Sequence, residues 1–156
     1  MAKARKIPGL DSGASFRDAA ASAIEVRSQE VFSFADGSFD AERVHDMRVA
    51  TRRLRAALEI FAICFPGREH KALLREVKLL ADALGERRDP DVQIIALERL
   101  QAELGNGERT GVNGLAAALR ARQAEGDGRV QEAIERAREI RLEERLAELA
   151  QQAAAQ

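Results

Sequence analysis

Apolar residues recur along this chain every three or four positions, and no segment alternates with a period of two. This is the pattern of amphipathic helices buried on one side, and it predicts an all-α fold without a sheet. Six helices follow from where the pattern starts and stops. The first runs from Ser12 or Ser15 to Ala35, with Phe16, Ala20, Ala23, Ile24, Val31 and Phe34 on its apolar side; Asp36-Gly37-Ser38 breaks it. The second opens near Asp40, a side chain suited to capping free amides, and runs to Phe65, before Pro66-Gly67. The third spans Glu69 to Leu84, with Gly85 as its C-terminal cap. Asp89-Pro90 reads as the cap and first-turn proline of a fourth, ending near Leu104. The stretch Gly105 to Gly111 is a loop. A fifth helix covers Val112 to Gln123, Gly126-Asp127-Gly128 reads as a turn, and a sixth runs from Arg129 to Ala150. Residues 1–11 read as a flexible basic tail and 151–156 as a fraying end, which leaves 12–150 as one antiparallel helical bundle.

Helix 2 is the most regular. Val44, Met47, Thr51, Leu54, Leu58, Phe61 and Phe65 keep a three-four spacing and form one seam. Leu73, Val77, Leu80 and Leu84 repeat it on helix 3, so these two helices are expected to pack together.

Composition narrows the class. The chain has 156 residues, 46% hydrophobic and 33% charged, which suits a single core in water. No run of 18 apolar residues exists to span a membrane, and the basic N-terminus lacks the apolar stretch of a secretory signal. The lone Cys64 cannot pair internally and reads as a small buried hydrophobe. A cytoplasmic location is expected on these grounds. Two histidines and one cysteine exclude most multi-ligand zinc sites, and no metal or cofactor is expected. The glycines at 105, 107 and 111 follow no strand and lack the lysine of a phosphate-binding loop.

Net charge is −1, yet it is unevenly spread. Residues 43–88 hold 11 Lys/Arg against 6 Asp/Glu, an excess of five positive charges, while the flanking segments are acidic. His45, Arg48, Arg52 and Arg55 are spaced three, four and three apart, within one sector of roughly 80° on helix 2. Arg53 points elsewhere. Lys71, Arg75 and Lys78 make a second stripe on helix 3. Charged helix faces are usually solvated and gain from opposite charges at i and i+4, as Glu132 and Arg136 do on helix 6. Arg48 with Arg52, and Lys71 with Arg75, set like charges at that spacing, which destabilises the helix. Asp46, Glu59, Glu76 and Asp82 flank the stripes and could neutralise part of them. A bound polyanion explains the rest. The arginine fork donates paired hydrogen bonds to phosphate and keeps its charge, and histidine adds donors once protonated. Arg87 and Arg88 would sit beside the free amides of the fourth helix.

Against this stand three other readings. His45-Asp46 resembles the histidine-aspartate pair of helical phosphohydrolases, but only His70 could join it; His70 itself reads as a surface residue at a helix start. Nucleic-acid binding is disfavoured because Trp and Tyr are absent and the six Phe fall mostly on apolar seams, which leaves little to stack on bases. A plain helical interaction module would bind no polyanion at all.

Two segments resemble a known family. VHDMRVATRRLRAALEIF, from Val44 to Phe61, is similar to the signature helix of the CHAD family, the conserved histidine α-helical domain. LGERRDPDV, from Leu84 to Val92, is similar to its second signature. The resemblance implies a non-enzymatic helical domain that binds inorganic polyphosphate, with location at polyphosphate granules one compatible role. The family's basic positions carry over to His45, Arg48, Arg52, Arg53, Arg55, Lys71, Arg75, Lys78 and Arg88. Family domains usually have two similar halves with a second basic histidine-containing helix. This chain has one, so a second copy in a homodimer could supply the missing face.

Overall fold

A computed structural model describes residues 3–65, 67–105, 107 and 109–155. Every helix or strand assigned among them is helical: α1 (Phe16–Phe32), α2 (Ala41–Ile60), a short 3-10 turn (Ala62–Cys64), α3 (Arg68–Glu103), α4 (Arg109–Glu139) and α5 (Leu142–Ala154). The bundle is all-α as the periodicity requires, but with five α-helices instead of six. Of the expected breaks and tails, Met1, Ala2, Pro66, Asn106, Glu108 and Gln156 lie outside the described residues.

The starts are set by capping side chains. Ser15 accepts from the Asp18 amide at 3.0 Å, and Asp40 accepts from the amides of Glu42 and Arg43 at 3.0 and 2.9 Å. α1 and α2 form a hairpin, α3 packs antiparallel to α2, α4 returns along α3, and α5 lies on α1. Their apolar stripes meet in one core that includes Ile24, Met47, Leu54, Leu58, Leu73, Leu84, Ile134 and Leu146, all nearly inaccessible. Burying each such side chain contributes about 1.5–3 kcal/mol. The far halves of α3 and α4 continue as a helical hairpin with a small core of its own, Ile94, Ala116 and Leu119. Arg5 and Ile7, in the segment expected to be a tail, lie along α1: the Arg5 amide donates to Glu30, and Ile7 packs against the main core. At the other end Ala153 is buried in the last turn of α5.

The expected break at Gly85–Pro90 does not occur. α3 runs through both residues, so Asp89 caps nothing and Arg87 and Arg88 stand in mid-helix, away from any free amides. A proline inside a helix removes one backbone hydrogen bond and crowds the preceding turn. Here a buried polar cluster spans that turn. Arg87 Nη1 donates to Asp91 Oδ1 at 2.5 Å and Nη2 to the Phe39 carbonyl at 3.0 Å, while Nε donates to Asp127. Gln123 Nε2 donates to the same Asp91 oxygen at 2.6 Å. Burial works against the charge on Arg87, but the hydrogen bonds to Asp127 and Asp91 outweigh it and hold the guanidinium above its ordinary range.

The expected turn at Gly126-Asp127-Gly128 is likewise helical, in the middle of α4. Gly126 is where the two helices touch: a Cβ there would come within 3.0 Å of the Arg87 Cα. The chain turns instead at Arg141, whose φ of 54° ends the expected sixth helix and starts α5. The apolar spacing slips there, from Val130, Ile134 and Ala137 to Leu142, Leu146 and Leu149.

Arg136 clamps Glu76 with two hydrogen bonds, 2.7 and 2.9 Å, joining α4 to α3. This hydrogen bonding, opposed by burial and aided by the charges of Arg136 and Arg75, lowers the Glu76 carboxyl below its ordinary 4.5. A carboxyl depressed by folding adds stability above its unfolded value, and that stability is lost as pH falls through the folded value. Glu76→Gln is therefore expected to lower the urea midpoint at pH 7, with the gap to the unsubstituted protein closing as pH drops below 4.5. An undiminished gap at pH 3 would refute the linkage.

Candidate basic groove between α2 and α3

The basic row lies on α2 where the helical spacing puts it. Val44, Met47, Thr51, Leu54 and Leu58 turn into the core, which leaves His45, Arg48, Arg52 and Arg55 on the neighbouring sector. Arg48, Arg52 and Arg55 line one wall of a groove of about 430 Å³ between α2 and α3. Arg52 is exposed and the other two half-buried. Arg48 and Arg52 make no ion pair among the described residues, and Arg55 has only Glu59 at 3.9 Å. His45 continues the row one turn earlier, half-buried and outside the groove lining.

The facing wall is α3, and it does not carry the cations expected there. Lys71, Arg75 and Lys78 lie on one line of α3 that continues, four and three residues at a time, through Asp82, Gly85 and Asp89. Because the helices are antiparallel, the acidic part of this line meets the arginines: Ala81, Asp82, Gly85, Glu86 and Asp89 form the opposite wall. Of the three cations only Lys78 is tied to the row, through Glu59, which it approaches at 3.2 Å. Arg75 reaches Glu76 at 3.9 Å, and Lys71 is exposed nearer the α2–α3 connection. Arg53 lies away from this row, where it lines a small pocket with Arg5, Glu30 and Phe34. Arg88 is turned toward Asp91 at 3.4 Å.

The family model of the CHAD domain matches residues 19–156. The chain belongs to the CHAD family. Neither the curated proteins nor the solved structures compared with it gave a match.

The two CHAD-like segments have different structural roles. The first is α2 itself, with its arginine row. The second forms both the groove's facing wall, through Gly85, Glu86 and Asp89, and the buried clasp, through Arg87 and Asp91. His70, read as a surface residue, is buried in this CHAD domain: its Nε2 donates to the Leu58 carbonyl at 2.8 Å and its ring stacks on Phe65 at 5.8 Å. It thereby satisfies a carbonyl at the end of α2. Cys64 is buried as expected. Among the described residues no group of three or more His, Cys, Asp or Glu is placed to hold a metal, and no helix is long and apolar enough to cross a membrane.

Reading the sequence alone missed the mixed character of the groove. The signal was there in the spacing: the stripe from Lys71 does not stop at Lys78, and its next members are Asp82, Gly85 and Asp89. Gly85 is notable because a Cβ there would meet nothing within 4 Å. No packing demands a glycine, which in mid-helix costs about 1 kcal/mol against alanine.

Proposed function

We propose that this CHAD domain binds inorganic polyphosphate, without chemical turnover, along the arginine row of α2. One observation carries the reading: Arg48, Arg52 and Arg55 stand on one groove wall as like charges at helical spacing, and among the described residues the first two have no carboxylate of their own. Membership of the CHAD family supports it. Arg48 to Arg55 spans seven residues, about 10 Å of helix, and His45 lengthens the row to about 15 Å. A linear anion laid along the row receives a fork of N–H donors at each turn, through charge-assisted hydrogen bonds. Lys78 extends the positive end past Glu59. The domain would work where polyphosphate is stored, in cytoplasmic granules, and a second copy could prolong the row.

The test is titration of the protein with long polyphosphate and with tripolyphosphate at two salt concentrations. Affinity per chain is expected to rise with chain length, because a longer ligand engages the whole row. It should fall by about tenfold or more between 50 and 200 mM salt, because bound phosphates release counterions. Binding that ignores both variables would overturn the reading. Sedimentation as a monomer in the bound state would dispense with the second copy.

A further inference from the structure

The wall that faces the arginines bears their opposite charge. Asp82 and Asp89 are exposed on α3, and neither makes an ion pair among the described residues. Arg48 and Arg52 are unpaired as well, so charges of opposite sign look at each other across the groove without closing to the 4.0 Å of a salt bridge. Glu86 beside them is taken by Arg129. A groove built only to gather negative charge would have a neutral or basic second wall. The α3 line is basic as far as Lys78, and it changes sign where it enters the groove.

We propose that Asp82 and Asp89 are specificity-determining residues: they admit a single thin phosphate chain to the arginine row and reject polyanions with a second row of phosphates, above all duplex nucleic acid. This rests on the polyphosphate reading above. A single chain seated against α2 has one row of charge, which it can turn to the arginines while water and counterions screen the side toward the carboxylates. A duplex seated on the same arginines brings its other strand toward α3, where each phosphate meets a fixed like charge. Discrimination by such repulsion needs no tighter grip on the preferred ligand. Gly85, between the two aspartates on the same line, adds no side chain to fill the trough.

The experiment uses Asp82→Asn/Asp89→Asn in the full chain; both side chains are exposed, and a thermal melt confirms that the fold is unaltered. Long polyphosphate and duplex DNA are titrated at matched phosphate and salt, with EDTA and with millimolar Mg²⁺. Duplex affinity is expected to rise by about tenfold or more and polyphosphate affinity by less than about threefold, so the preference collapses. Equal gains for both ligands, or no gain for DNA, would overturn the assignment. So would a loss of polyphosphate affinity confined to Mg²⁺, which would make the carboxylates carriers of a bridging cation. If the unsubstituted protein binds no polyphosphate, the underlying reading fails; if it binds and the variant keeps its preference, only the role of the two aspartates falls.

Discussion

Replacing Arg48 and Arg52 together by alanine is expected to weaken binding of long polyphosphate by about a hundredfold. A hydrogen bond to a charged group contributes about 1.5–3 kcal/mol, so each arginine accounts for about a factor of ten or more. Two phosphates fewer are neutralised, so the slope of log affinity against log salt should shrink by about one to two. The fold should tolerate the change: Arg52 is exposed, Arg48 half-buried, and neither holds a carboxylate among the described residues. Removing a like-charge pair at i and i+4 should even stabilise α2 by a few tenths of a kcal/mol. Arg53→Ala takes one charge from another side of the same helix and is expected to lose less than about threefold, since only nearby phosphates are gripped directly. A loss of about tenfold for Arg53→Ala, half that of the double variant on a log scale, would mean that net charge, not the row, drives binding.

The largest effect on stability is expected at Arg87. Its side chain is 3% exposed and that of Asp91 1%. Arg87→Met keeps much of the volume but leaves Asp91 buried with Gln123 and a long contact to Arg88, and it strips the Phe39 carbonyl of its donor. Breaking a buried pair in this way costs about 3–5 kcal/mol. In a chain of this length that lowers the Tm by on the order of 10 °C. Arg87→Met/Asp91→Leu should recover part of the loss, because no buried charge is then left alone. Polyphosphate affinity measured well below the melt should be unaltered, because Arg87 does not line the groove. A variant that melts normally but loses binding would move Arg87 from the clasp to the ligand.

The helical class, the core seam of α2 and the common sector of His45, Arg48, Arg52 and Arg55 were legible in the sequence. Each depends only on the 3.6-residue period, which a helix imposes on its own side chains. Two helix breaks were misread for a shared reason. Gly85, Pro90, Gly126 and Gly128 all weaken a helix locally, and local signals say nothing of what crosses it. Gly126 lets α4 touch α3 at Arg87, and the Arg87–Asp91–Asp127 cluster bridges the proline turn from three parts of the chain. The true turn at Arg141 carries no glycine or proline, and only the slip from Ala137 to Leu142 marks it.

Which charges share the groove could not be read from either helix by itself. Periodicity fixes a side chain's direction about its own axis, whereas its neighbour across a groove depends on how far one helix slides along the next. That register comes from the α2–α3 connection, from Leu58 and His70, and from Glu59 beside Lys78. It sets Asp82, Gly85 and Asp89, not Lys71 and Arg75, against the arginines. The row of cations is thus a property of the chain, and the acidic wall opposite it is a property of the packed bundle.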